Sequence, residues 1–375
     1  MKNMSRFTPY LGIVAALAFA AFVGVFTDSM IISRTPARDI LATSSTLSVP
    51  PGFTLLPITL PSLESRTGVP AVVLPSSAVE PAPKEEVPVT PILESAPVSA
   101  AALDAAASAL RGALVNIICY VPAGSGLRST SGSGTFIDPK GIILTNAHIA
   151  QYFLLADHGA SCTIRTGSPA ADSYEAALIY LSPVWLEKNA SVLTQSAPSG
   201  TGEYDFAYLA VTKSVTRNAL PASFPSVPLA TIPPVAGTPV VIATYGAQFL
   251  ESSQVRFSLF PTVVFGSVKD VFTFARNTID VLALGGSAAA QEGSSGGGVA
   301  DSSGALVGTI TTSTIEGATD TRSLSAITAS YIRAEYANET GRALDLLLAE
   351  PTAIAVADFA TKIPALESII TAHLP

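Results

Sequence analysis

The chain is short of charge. Of its 375 residues, 20 are Lys or Arg and 28 are Asp or Glu, 13% together, against the roughly 25% usual in globular proteins. The net charge is −8 and no basic patch stands out, which argues against nucleic acid as a partner. Histidine and cysteine are scarce. The histidines are His148, His158 and His373, and the cysteines are Cys119 and Cys162. Neither set has zinc-ligand spacing, so no metal and no cofactor is expected. No internal repeat is visible. What abounds is apolar: 48% of residues, with a mean hydropathy of +0.46. The length suffices for one large or two modest domains with a real core.

Part of the apolar excess lies at the N-terminus. Lys2 and Arg6 precede an uncharged run from Phe7 to Thr27, long enough at ~1.5 Å per residue to cross a hydrocarbon core. The preceding charges favour a cytoplasmic N-terminus and a body outside, although Arg34 and Arg38 stand on the far side. A cleaved signal peptide is the rival reading, with Ala18-Phe19-Ala20 as the small-residue site. That cut would fall inside the apolar run, so residues 1–30 read as an uncleaved single-pass membrane anchor. Residues 31–100 carry twelve of the 28 prolines. The run Pro81–Pro91 suits neither a helix interior nor a central strand. This segment reads as a Pro-rich disordered linker, spanning roughly 45–50 Å as a flexible coil.

From Ala113 the pattern is that of β-structure, after a short Ala-rich helix over Ser99–Leu110. Strands are expected at Ala113–Val121, Gly134–Ile137, Ile142–Thr145, Ser161–Thr166, Ala176–Leu181 and Phe206–Val211. Asp138-Pro139-Lys140-Gly141 is a strong turn signal, and Ala147–Ala156 suits a short helix. A Pro-rich crossover, Pro221–Pro239, leads to a second set: Val240–Tyr245, Val255–Val268, Val271–Phe274, Ile279–Leu284, Ala305–Thr312 and Ser323–Thr328. Many short strands between turn signals argue for an all-β fold of barrels or a sandwich. Ala329–Ala349 and Ala353–Leu374 are helical in pattern, with breaks at Pro351 and Pro364.

Three residues draw the chemistry together. Ser295 sits in Gln-Glu-Gly-Ser-Ser-Gly-Gly-Gly (291–298), where glycines permit tight turns and close backbone approach. Alone, the stretch reads equally as a turn between strands. A serine hydroxyl needs a base within reach, and the base needs an orienting group. His148 follows the strand Ile142–Thr145, whereas His158 lies in the polar Asp157-His158-Gly159. Asp205 opens an otherwise apolar strand, where a charge is costly to bury without hydrogen bonds.

The set resembles the trypsin/chymotrypsin-like serine peptidases, and within them the HtrA-like branch. Three segments carry the resemblance, in the family's His–Asp–Ser order. They are Ser-Gly-Ser-Gly-Thr-Phe-Ile (131–137) running on to Leu-Thr-Asn-Ala-His (144–148), Tyr-Asp-Phe-Ala-Tyr-Leu (204–209), and Glu-Gly-Ser-Ser-Gly-Gly (292–297) with Gly-Ala-Leu-Val-Gly (304–308). The likeness covers roughly residues 105–345. It implies two six-stranded antiparallel β-barrels over a domain at 101–345, followed by a C-terminal helical extension at 346–375. It further implies a serine endopeptidase with His148, Asp205 and Ser295 as catalytic triad and the N–H groups of Gly293 and Ser295 as oxyanion hole. The partner implied is a protein or peptide substrate; the N-terminal anchor and its flanking charges place the domain, as an expectation, on the extracytoplasmic side of the cell membrane. The family's first barrel places the strands of Cys119 and Cys162 side by side, so a disulfide is possible. Two unpaired buried thiols are the alternative.

Departures from the family pattern matter. Ser294 replaces the aspartate that pairs with a new N-terminus in secreted zymogens, so no such activation is expected. Gly298 stands where proline commonly follows, which suggests a looser start to the strand. The residues after 345 are too few for a PDZ domain. Ala288–Gln291 and Thr309–Ser313, the expected pocket walls, contain no acid, which favours small or apolar P1 residues. Two other readings compete. One is a catalytically silent relative that acts in binding or adhesion, against which the intact His148/Asp205/Ser295 set argues. The other is an α/β-hydrolase esterase, since Gly293–Gly297 fits Gly-x-Ser-x-Gly. That elbow needs a helix after the serine and the histidine last in the chain, and here both are reversed.

Overall fold

The computed structural model describes residues 98–195, 200–274, 277–313 and 317–374. The proposed anchor and nearly all of the proposed linker lie outside them. Among the described residues no helix is long and apolar enough to cross a membrane. Helix α1, Ala100–Ala113, begins where the Ser99 side chain accepts a hydrogen bond from Ala102 N–H. Such an N-cap satisfies one of the four N–H groups a helix start leaves unpaired. Ala106, Leu110 and Ala113 form its buried face, at the spacing of one helical stripe.

The first barrel follows directly. Its strands are β1 (Leu114–Tyr120), β2 (Thr130–Asp138), β3 (Ile142–Thr145), β4 (Ser161–Thr166), β5 (Ala171–Leu181) and β6 (Ala207–Ser214). They close antiparallel in the order β1-β2-β3-β6-β5-β4. The β2–β3 turn forms as its sequence dictates, with Asp138 Oδ1 accepting from Lys140 N–H at 2.8 Å. All four β3 side chains are buried. After β3 come a short helix, α2 (Ala147–Ala150), and a 3-10 segment, Gln151–His158. Helix α3, Pro183–Asn189, and a second 3-10 segment, Ala190–Thr194, follow β5. Cys119 and Cys162 face one another across β1 and β4 and form a disulfide.

The second unit departs from the expected closed six-stranded barrel. Its strands are β7 (Pro239–Thr244), β8 (Thr262–Ser267), β9 (Asp270–Phe272), β10 (Val281–Ala283), β11 (Gly298–Asp301), β12 (Leu306–Ser313) and β13 (Leu324–Thr328). They make one open sheet, β8-β7-β11-β12-β13-β10-β9. The departure lies between β8 and β9. β8 runs along β7, Val268 N–H still donates to Thr238 O, and Lys269 N–H crosses to Ala283 O, so that β9 rather than β8 pairs with β10, with Val281 opposite Phe272. A second correction concerns Val255–Val268, expected as strand throughout. Residues Ser252–Phe257 form helix α4. Glu251 and Gln254 make a reciprocal capping box there, and such a box satisfies two orphan donors at once. The strand starts only after Pro261.

Four helices end the chain: α5 (Ala329–Thr340), α6 (Leu344–Ala349), α7 (Thr352–Ala360) and α8 (Ile363–Thr371). Gly341, in the left-handed region, ends α5. The break expected at Pro364 falls just before it, between Ala360 and Ile363, and Pro364 sits in the first turn of α8, where its missing N–H costs nothing. Phe359, Leu366 and Ile370 join the core of the first barrel. Lys140 Nζ donates to Leu348 O, and His158 Nε2 lies 3.1 Å from Glu367 Oε1.

Candidate active site

β3 delivers the base. Asn146 follows its last residue at the N-cap position of α2, and its side chain, rather than capping the helix, donates through Nδ2 to Asp205 O at 2.9 Å. Two residues on, the His148 backbone N–H donates to Asp205 Oδ1 at 3.0 Å. Its Nδ1 lies 2.8 Å from Asp205 Oδ2. A carboxylate accepts, so Nδ1 carries the proton and Nε2 keeps the lone pair that a general base uses. The ring is partly open to solvent, while Asp205 is 5% exposed. Thr311, from β12, completes the acid's surroundings by donating Oγ1 to Asp205 Oδ2 at 2.7 Å. The buried carboxylate therefore meets donors from both halves of the domain, as burial of a charge requires.

The Ser295 loop is built differently. Gly293 has φ +88°, and a Cβ there would stand 2.6 Å from Tyr245 O. Gly296 has φ +84°, and a Cβ there would stand 2.0 Å from Ser133 O and 2.5 Å from Thr145 Oγ1. Neither position admits a side chain. Ser133, from β2, ties the loop down. Its N–H donates to Ser295 O at 2.7 Å. Its Oγ donates to Gly293 O at 2.8 Å and accepts from Tyr245 N–H at 2.8 Å. Gly296 N–H donates to Ile310 O, and Gly297 N–H to Ser294 O. Among the described residues, the N–H groups of Gly293 and Ser295 donate to no protein acceptor. β11 starts firmly, because Gly298 pairs with both Ala243 and Thr309. The looser start suggested by Gly298 is not found.

His148 and Asp205 are thus in direct contact. Ser295 is held against β2 through the Ser133 N–H, and the next residue, Gly296, lies beside Thr145, the last residue of β3. It is half-buried, and among the described residues its Oγ makes no hydrogen bond, the His148 ring included. Catalytic hydrogen bonds are often long before substrate binds. Ala289 and Ala290, in the expected pocket wall, are buried. Beside them lies a cation that sequence reading missed. Arg322 is 5% exposed and donates to Ala290 O at 2.7 Å and Gln248 Oε1 at 2.6 Å. The anchoring roles of Ser133, Asn146 and Thr311 were equally unread, although all three lie within or beside stretches quoted for the resemblance or the pocket.

A closed β-barrel that carries a His–Asp pair, and an open β-sheet whose glycine-framed serine loop is tied to it through Ser133, make a trypsin-type fold. Residues 132–308 match the trypsin-like peptidase domain family, and that span of the chain is a trypsin-like peptidase domain. No curated protein matches the sequence. Among solved structures, the chain is similar to the Rv3671c protease of M. tuberculosis in its active form. The identity is 20%, with 71% of this chain and 95% of that one covered, at a TM-score of 0.41. It is also similar to Deg5, with 16% identity, 62% and 90% coverage, and a TM-score of 0.42. Likenesses this distant add nothing to the reading of the site.

Proposed function

We propose that the chain is a serine endopeptidase that works through an acyl-enzyme. Ser295 Oγ attacks the scissile carbonyl. His148 Nε2 takes its proton and later returns it to the leaving amine. Asp205 fixes the imidazole's tautomer and stabilises the imidazolium. The N–H groups of Gly293 and Ser295 receive the developing oxyanion, each donor typically contributing about 2.7–4 kcal/mol. The observation that carries the reading is the buried Asp205 carboxylate, bonded twice to His148. Small or apolar P1 residues fit the buried alanines of the expected pocket, and Ser294 argues for an enzyme without the zymogen ion pair. The Phe7–Thr27 run and the charges before it support a membrane tether with the domain on the extracytoplasmic side. The disulfide suits an oxidising exterior.

The test is labelling by a peptidyl phosphonate, mapped by mass spectrometry. Modification of Ser295 in wild type and its loss in Ser295→Ala is the expected result. That variant should lose on the order of 10³-fold or more in kcat/KM while its thermal midpoint stays put. No label on a folded wild type would turn the reading toward a silent binding module.

A further inference from the structure

Asp205 leaves a turn whose backbone is unusual one residue earlier. Tyr204 has φ +58°, in the left-handed region that tyrosine adopts only under compulsion. On either side the turn is tight. Asp205 N–H donates to Gly202 O at 3.1 Å, and Phe206 N–H donates to Tyr204 O at 2.8 Å. The carboxylate therefore points where Tyr204 sends it. The compelling contact comes from outside the first barrel: Tyr204 N–H donates to the Tyr331 hydroxyl at 3.0 Å. Tyr331 lies in the first turn of α5, immediately after β13, and its own N–H donates to the capping Thr328 Oγ1 at 3.1 Å. Its ring is buried and packs 6.4 Å from that of Tyr204, centre to centre. Burial pushes the phenol well above its ordinary value, so the hydroxyl stays neutral and can accept at any working pH.

We propose that Tyr331 is a positioning residue for the His148–Asp205 pair. It holds Tyr204 in the left-handed conformation and thereby aims the Asp205 carboxylate at Nδ1. The inference rests on the serine-peptidase reading only for its kinetic readout. The role differs from that of Thr311, which touches the carboxylate itself. Tyr331 does not reach the carboxylate; it meets the residue before it, through the Tyr204 N–H and ring, from the helix that follows β13.

Tyr331→Phe removes the acceptor and keeps the ring. Its kcat should fall about tenfold, the effect of one modest interaction lost from the transition state, with KM within about a factor of two of wild type. Glycine occupies the left-handed region without strain, so adding Tyr204→Gly to Tyr331→Phe should restore about half or more of the lost kcat. A second readout needs no substrate. The NMR signal of the His148 Nδ1 proton should exchange with water faster in Tyr331→Phe than in wild type, and recover in the double variant. If Tyr331→Phe lowers only the thermal midpoint, leaving kcat and the Nδ1 proton unchanged, the proposal is overturned. A double variant no better than the single one overturns it too. If wild type neither hydrolyses peptides nor takes the phosphonate, the peptidase reading fails, and the exchange comparison still decides the role of Tyr331.

Discussion

The two halves of the domain solve different problems with the same kind of strand. The first is a closed barrel, locked by the Cys119–Cys162 bridge and packed with aromatic rings. Tyr180, Phe206, Tyr208 and Tyr336 touch at centroid separations from 4.9 to 6.1 Å. The second is an open sheet with a smaller aliphatic core built from residues such as Val240, Ile242, Val299 and Ile310. Four of its phenylalanines stay outside: Phe257, Phe260, Phe265 and Phe272 are all more than half exposed. The base and the acid must keep one distance, and they stand on the closed frame. The serine loop belongs to the open sheet, yet it takes its precision from Ser133 of the first barrel. The serine loop is thus bonded to both sheets, to Ser133 on β2 and to Ile310 on β12.

That contrast can be broken most sharply at two phenylalanines. Phe206→Ala, in the fully buried aromatic cluster, should lower the unfolding free energy by about 3–5 kcal/mol. Phe265→Ala, on the outer edge of the open sheet, should stay within about 0.5 kcal/mol. Urea titration of both variants checks this, and equal losses would dissolve the distinction. Next in size is the bridge. Replacing Cys119 and Cys162 by serine should cost about 2–4 kcal/mol, read as a lower urea midpoint. Hydrogen exchange should then quicken in β1 and β4 and leave β12 as it was.

The smallest effect concerns how the α5 helix sits on the first barrel. Glu339 accepts from Ser182 Oγ at 2.9 Å. Burial raises its carboxyl above the usual value near 4.5, with the Ser182 and Tyr180 hydrogen bonds pulling it down and Glu335 pushing it up. A raised folded value favours the protonated form in the native state. Its contribution is present in full below about pH 4.5 and is lost as the pH rises through the folded value. Glu339→Gln should therefore raise the thermal midpoint by a few degrees at pH 7, and the gain should vanish near pH 4. A gain that persists in acid would assign it to packing instead.

Much of this was legible in the residues. β3 and β4 run where their apolar and β-branched composition places them, and the helix before β1 begins at the serine that caps it. His148 and Asp205 could be paired because each carries a local signature and the order is fixed. What escaped was whatever depends on a neighbour. β11 is only four residues, Gly-Val-Ala-Asp, and its extension is enforced by β7 and β12 on either side. The open second sheet follows from a change of partner at Val268 and Lys269, where β8 on β7 gives way to β9 on β10, and no local pattern announces it. Val255–Val268 has strand-like residues at both ends, but the Glu251/Gln254 cap wins the first half for a helix. Tyr331 reads as one more apolar helix residue until Tyr204 is seen beneath its hydroxyl.

The bridge between β1 and β4 also sets what a cut can do. It joins residues 119 and 162 into a covalent ring, and His148 lies on that ring. The turn from Pro122 to Ser129 is largely exposed and lies on that ring, a place where an added peptidase can nick the chain. Such a nick severs the chain without freeing either piece. The wounded molecule migrates as one band until a reductant is added, and it carries its histidine with it.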